Sequence, residues 1–500
     1  GRAAGGFGYD NSYTLDGQKI VQPRFGFNYQ FDPVDKLKTQ LRGGVGLFMG
    51  SSASVWLTNP YQNTGVTTAN LSCGSGTVPC STIQFSPDPN SQPSLPTTNP
   101  PAANVDFVAP GVKQPTVWKM NLAIDKELPW FGLVAGAEWL HTEVDKGLYY
   151  QFLNLGPVTS TSPVDGREMY YNAAGRSPLC YAGGNDSSPT TCGRLTKALN
   201  NQSFNNVTVL KNSSKGDGDV LTLSLNSPNR TGLGWGVAYT YTRATEVSGL
   251  TSSTANSGWL NRANFNPNEE VAANAATLIR NRITGNVNWS KAFFGKYKTT
   301  FGKLYEGRTG HPYSWVFNND VNGDSVAGND LLYIPKGQGS GEVLFRSTNT
   351  GGTLNQAQLD NLMATTSATA EAKFWSIVDA NPGLRDSKGK VVGRNASFSP
   401  FVNSFDVRVS QEVPGFFGNN KGTLTLDILN FGNLINKRWG RIDEVAFGTG
   451  GATRRWINYG GIDPNTGKMI YAVNDPGDYT TKQNRGESQW AMQLTAKYEF

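Results

Sequence analysis

Ser488-Gln-Trp-Ala-Met-Gln-Leu-Thr-Ala-Lys-Tyr-Glu-Phe500 ends the sequence in a strict two-residue rhythm. Ser488, Trp490, Met492, Leu494, Ala496, Tyr498 and Phe500 make one row, and Gln489, Gln493, Thr495, Lys497 and Glu499 fall in the other. Successive side chains of an extended strand point to opposite faces, so the segment reads as a strand with one apolar and one hydrophilic face. The rhythm recurs upstream. Leu233, Trp235, Val237, Tyr239 and Tyr241 alternate with Gly234, Gly236, Ala238 and Thr240. Phe25, Phe27, Tyr29 and Phe31 alternate with Arg24, Gly26, Asn28 and Gln30, and Ile283, Gly285, Val287 and Trp289 with Arg282, Thr284, Asn286 and Asn288.

In a water-soluble sandwich the apolar face would pack on a second sheet. Here that face is heavy with Trp, Tyr and Phe towards the strand ends, while the other is Gly, Asn, Thr and Gln. Aromatic girdles outside and a wet lumen inside explain both faces. The expected class is therefore all-β, a transmembrane antiparallel β-barrel with long loops. Composition agrees. Hydrophobic residues are 37% and charged ones only 16%, a double deficit that arises when half of each strand faces the lumen and polar loops dilute the average. A disordered chain would lack the 11% aromatics. No stretch approaches the roughly 18 consecutive apolar residues of a helical span. The net charge of +6 is scattered and marks no nucleic-acid surface.

About thirteen strands are expected, at 20–31, 37–49, 115–128, 133–147, 205–227, 232–247, 277–291, 297–307, 403–413, 421–430, 454–462, 468–474 and 487–500. Short connections fall near Asp32–Lys36, Pro129–Gly132, Ser227–Thr231, Ala292–Lys296, Pro414–Asn420 and Asp463–Gly467. Long ones fall near 50–114, 148–204, 248–276, 308–402, 431–453 and 475–486. Short turns on the periplasmic side and long loops outside are what an outer-membrane barrel requires, and they leave Phe500 in the periplasm. Thirteen is odd, whereas bacterial single-chain barrels have even strand numbers. The expectation is that residues 1–500 are the C-terminal part of a barrel whose earlier strands precede Gly1.

Particular residues then suggest a family. Gln22-Pro-Arg-Phe-Gly-Phe-Asn-Tyr, Leu41-Arg-Gly-Gly-Val-Gly-Leu-Phe and Val55-Trp-Leu-Thr-Asn resemble TonB-dependent receptors of the Oar-like subfamily. So do Tyr305-Glu-Gly-Arg-Thr-Gly-His-Pro-Tyr-Ser, Asp320-Val-Asn-Gly-Asp, Gly328-Asn-Asp-Leu-Leu-Tyr-Ile-Pro, Arg394-Asn, Phe405-Asp-Val-Arg, Asp427-Ile-Leu-Asn-Phe-Gly-Asn-Leu-Ile-Asn, Trp439-Gly and the terminal Tyr498-Glu-Phe500. The resemblance implies a 22-stranded barrel, an N-terminal plug domain absent from this chain, and partnership with the TonB complex. It also implies that Tyr498 and Phe500 form the signal read by the barrel-assembly machinery. The outer-membrane lipid and lipopolysaccharide are the expected surroundings.

Candidate sites are few. Asp320, Asn322, Asp324 and Asp330 place oxygens at alternating positions, as a Ca²⁺ loop does. However, Ser325 stands where a turning Gly belongs and no Glu holds the twelfth position; a loop stapled by Asx turns is the alternative. Cys73 with Cys80 and Cys180 with Cys192 read as two small disulfides at loop tips in an oxidising compartment, with four free thiols as the alternative. Arg24, Arg42, Arg282, Asp406 and Arg408 face the lumen and would line a ligand path or, more simply, form ion pairs with a plug. His141 and His311 are too far apart for a catalytic or metal cluster, and His311 reads as a surface residue. A short helix capping the barrel is expected within Leu354–Val378, from Leu359, Leu362, Met363, Phe374, Trp375 and Val378. The expected function is import of a scarce ligand into the periplasm, with an adhesin or surface-assembly protein and a passive pore as alternatives. No enzyme is expected.

Overall fold

A computed structural model describes residues 7–34, 37–65, 86–92, 102–181, 198–228, 231–347, 367–417 and 420–500. Eleven strands form one antiparallel sheet in chain order. They are β1 (Arg24–Val34), β2 (Leu37–Met49), β3 (Thr116–Glu127), β4 (Val134–Phe152), β5 (Asp217–Ser227) and β6 (Leu233–Glu246). The path continues through β7 (Asn281–Phe294), β8 (Tyr297–Arg308), β9 (Val402–Pro414), β10 (Lys421–Leu429) and β11 (Ala491–Glu499). Each pairs with its neighbour in sequence, so connections alternate between the two ends of the sheet. Short turns join β1 to β2, β3 to β4, β5 to β6, β7 to β8 and β9 to β10. Every long connection lies at the opposite end.

The register places the large apolar residues in continuous rows across the sheet. Trp139 pairs with Leu221, and Leu221 with Tyr241. Phe301 pairs with Val409, Val409 with Leu426, and Leu426 with Leu494. All of these side chains but Val409, which is partly exposed, stay exposed, with Leu494 at 75%. A band of this extent belongs against hydrocarbon. On β6 it runs from Leu233 to Tyr241, roughly 26 Å along the strand at about 3.3 Å per residue, which a tilt of about 40° projects to roughly 20 Å of the ~25 Å apolar band of such barrels. Trp130, Phe131, Phe293, Phe294, Phe416, Phe417 and Phe500 crowd the short-turn end, exposed. They form one aromatic girdle. Tyr498 belongs to it: its ring stacks on Phe416 and its hydroxyl accepts from the Phe416 N–H at 3.1 Å.

The opposite face is polar. Cross-strand hydroxyl pairs Thr222–Thr240 (3.1 Å), Ser290–Thr300 (2.8 Å) and Ser410–Thr425 (2.9 Å) run along it. Gly236 opens space between two asparagines here, since a Cβ would come within 2.5 Å of Asn226 Oδ1.

Two of the thirteen expected strands are not in this wall. Gly451–Ile462 and Met469–Val473 join a second, mixed sheet at the long-connection end, with Val343–Ser347, Pro312–Phe317 and Ser397–Phe398. Met469–Val473 is buried along its whole length and pairs in parallel with Val343–Ser347. The turn at Asp463–Gly467 therefore belongs to this cap and not to the short-turn end. Residues 205–227 also differ from one continuous strand. They split into Phe204–Ser213 and β5, at Gly216 with φ +131°. The lower part of β4 pairs with β5, and its upper part, Gly147–Phe152, pairs with Phe204–Ser213.

The cap has its own core. The helix Ala368–Ala380 starts at Ser367, whose side chain accepts from the Ala370 N–H, and it buries Ala370, Phe374, Trp375 and Val378. Phe374 stacks on Trp456 at 4.8 Å and meets Phe345 at 4.9 Å. Full burial of each such side chain stabilises by roughly 1.5–3 kcal/mol. The expected helix is thus present in its second half, while Leu359, Leu362 and Met363 lie outside the described residues. A second core surrounds the upper half of β4, with Val105, Phe107, Leu148, Tyr150, Phe152, Val209 and Trp259.

Candidate functional site

The lumen face gathers the charged residues singled out from the sequence, and pairs them within the wall. The Arg42 guanidinium meets Asp125 and, at 3.5 Å, Glu138. Arg282 holds Glu306 at 2.8 Å, and Arg408 holds Asp427 at 2.5 Å. Asp406 accepts the Asn430 N–H at 2.7 Å. Arg24 donates to Gln22 at 3.2 Å and lies 4.4 Å over the Phe48 ring. Within this chain the partners sit on nearby strands, because the register brings opposite charges side by side on one face. These pairs are half-exposed and each contributes about 0–1 kcal/mol. Their main effect is to hold charge in place along the lumen. Asp406, Arg408 and Asp427, with Asn286, Asn288 and Gly302, line a groove of about 320 Å³ in the wall.

The cap end carries the second constellation. Asp320 accepts the Gly323 and Ser325 N–H groups at 2.7 and 2.8 Å. Asn322 Oδ1 accepts the Asp324 N–H, and Asp324 Oδ1 accepts the Val326 N–H, both at 2.8 Å. The loop is thus stapled by Asx turns, and Ser325 reaches φ +70°, where the sequence lacks the turning glycine. Asp330 accepts the Val321 N–H at 2.9 Å and pairs with Arg167 at 3.2 Å. Arg167 also holds Asp165 at 2.8 Å, all three side chains being fully buried. Nothing in the sequence marked Arg167 as the partner, since 163 residues separate it from Asp330.

Two further features escaped the sequence reading. Arg262 and Arg394 are both buried and line one pocket of about 140 Å³ with Glu246. Their guanidiniums donate to main-chain carbonyls, including Val247 O and Glu246 O. A basic groove of about 680 Å³ lies at the cap end of β11, lined by Lys437, Arg441, Lys482 and Arg485 with Trp490. No spacing rule joins residues 437 and 485 in advance.

His141 is tied to Asp219 at 2.8 Å and stacks on Trp139. His311 is half-buried, not on the surface, because Pro312 begins a buried strand of the cap sheet. Burial, and then the neighbouring Arg308, hold its imidazole below the ordinary value. Cys180 is buried; Cys73, Cys80 and Cys192 lie outside the described residues.

An antiparallel wall with an apolar belt, an aromatic girdle, a polar inner face and a folded cap defines an outer-membrane barrel protein. Residues 2–444 match the outer membrane beta barrel domain family, and the chain belongs to it. Among solved structures it is similar to the outer membrane transporter YddB from Escherichia coli, at 10% identity and a TM-score of 0.36. That match covers 92% of this chain and 38% of the transporter chain. No curated protein matches.

Proposed function

We propose that this chain forms the wall and cap of a TonB-dependent outer-membrane receptor, similar to the Oar-like subfamily, that imports a scarce ligand into the periplasm. The carrying observation is the folded cap above a polar, charge-lined inner face. A permanently open pore needs no such cap, whereas a receptor must select what reaches its lumen. In this reading the cap is extracellular, the short turns and Phe500 are periplasmic, and the wall strands are the twelfth to the twenty-second of 22. β1 and β11 each pair on one side only among the described residues. In hydrocarbon every unpaired edge group costs several kcal/mol, so further strands must cover both edges, and a plug would fill the lumen. Tyr498 and Phe500 would be read by the barrel-assembly machinery.

The test is uptake. Cells carrying the full-length gene should outgrow a deletion strain on one limiting nutrient, and the advantage should vanish when TonB is removed. An advantage that persists without TonB, with step conductance of the purified protein in planar bilayers, would establish a passive pore instead. Adhesion without any growth effect would establish a surface-contact protein.

A further inference from the structure

We propose that the cavity where the cap meets the end of β6 binds one small oxyanion, a carboxylate or phosphate group, through the guanidiniums of Arg262 and Arg394. Both arginines line this space of about 140 Å³, and they are only 5% and 7% exposed. Arg167, equally buried, is held by two carboxylates. Among the described residues no carboxylate pairs with Arg262 or Arg394, whose bonds all go to main-chain carbonyls. The acids whose charge reaches them are engaged elsewhere. Glu269 accepts the Phe265 and Asn266 N–H groups at 3.1 and 3.2 Å, and Glu246 accepts the Ala276 N–H at 2.9 Å.

A buried cation without a counter-ion is unfavourable, and two beside one cavity also repel each other. Burial, and then the charge of Arg262, lower the Arg394 guanidinium to about 10, so it stays charged at neutral pH. Burial lowers Arg262 in the same direction. The interior thus holds two positive charges that no side chain of the chain meets directly.

The second observation is independent and concerns unused donors. Arg262 spends Nη1 on Val247 O at 3.3 Å and Nη2 on Pro267 O at 3.5 Å. Arg394 spends Nη2 on Glu246 O at 2.6 Å and on Val271 O at 3.0 Å. Nε and Nη1 of Arg394, and Nε of Arg262, have no acceptor among the described residues. They are not sealed in, as Arg346 Nε is, so a small solute reaches them through the cavity that both side chains line. Water would satisfy these donors and leave the charges unmet. An oxyanion answers both, since hydrogen bonds between ionised partners are the strong ones.

The size narrows the ligand. A pocket for a whole drug-sized molecule holds roughly 300–1,000 Å³, so this one takes a small free anion or a single acid group of something larger. Glu246, whose carboxylate lies beside Gly249 in the cavity wall, counts against a second anion.

The full-length protein, purified in detergent and kept in chloride buffer, should take up one inorganic phosphate or one acetate per chain by calorimetry. Phosphate alone assigns a phosphate group, acetate alone a carboxylate, and both an oxyanion site that does not discriminate; each supports the proposal. Arg394→Met should weaken uptake at least tenfold. That side chain also ties two carbonyls, so Ala276→Leu decides the matter if Arg394→Met does not fold. Ala276 lines the cavity, and leucine there fills it while leaving both arginines in place. Uptake should be lost in Ala276→Leu, and its anion-free cap should resist protease as wild type does. The anion should slow protease cleavage of the wild-type cap, as any ligand of the folded state does, and leave both variants unaffected. Uptake of neither anion, or uptake unchanged in Ala276→Leu or in folded Arg394→Met, overturns the proposal. Import by living cells can fail while this site binds.

Discussion

Phe374 has no exposed surface, sandwiched by Trp456, Phe345 and Tyr471. Its truncation to alanine should destabilise the cap by about 3–5 kcal/mol, the usual cost of emptying an aromatic site. Protease should then cut the cap faster, while the heat-dependent gel mobility of the wall stays unchanged. Arg167→Met leaves Asp165 and Asp330 buried without their cation, which costs about 3–5 kcal/mol by the same readout. The pH response follows from Asp330. Burial, working against Arg167, pushes its carboxyl up to about 7 from an ordinary 3.8. The folded cap therefore takes up a proton between about pH 4 and 7 that the unfolded chain does not. Its stability should fall as pH climbs through that window and stay level above it. Arg167, Asp320 and Asp165 all act on this group, and its own charge acts on Asp324. Hydrogen exchange of residues 320–331 at pH 5 and pH 8 measures the effect.

At the scale of the strand, one residue of displacement decides between lipid and water. Val237 stands in the apolar row and Ala238 in the polar one, paired with Ser224 and Thr284. Val237→Arg should cost about 2–4 kcal/mol near the middle of the bilayer, and Ala238→Arg close to nothing. The folded fraction after refolding into lipid vesicles separates the two. The same two-residue rhythm made β1, β6, β7 and β11 legible in the sequence. It failed for Gly451–Ile462 and Met469–Val473 because alternation records only that a strand has two unlike faces, not what covers them. Two signals pointed the other way. Met469–Val473 is five residues long against the roughly 9–11 of a spanning strand, and Met-Ile-Tyr-Ala-Val is an unbroken apolar run, typical of a strand buried on both sides.

For the molecule as a whole, the wall was readable because every pairing in it is between neighbours in sequence. The cap was not. Its sheet joins segments from Pro312 to Val473, two of its pairings are parallel, and its helix packs across them. The charged lumen residues were likewise recognisable by type and face, while their partners were not: Arg42 finds Asp125 only through the register of β2 and β3. The acidic loop was visible as a spacing, but Arg167 and the orphaned Asn329 oxygen depend on packing that no local pattern encodes.

β4 runs without interruption through two pairings, to β5 at Val134–Glu143 and to Phe204–Ser213 at Gly147–Phe152. One stiff member is thus fixed at both storeys, and the cap has no pivot where this strand passes through. Spin labels at Glu143 and Lys211 should keep a single separation by pulsed resonance whatever solute is added. Any widening of the mouth must then come from segments that β4 does not hold; the connection between β6 and β7 is tied to it, since Asn268 bonds both the N–H and the carbonyl of Phe152.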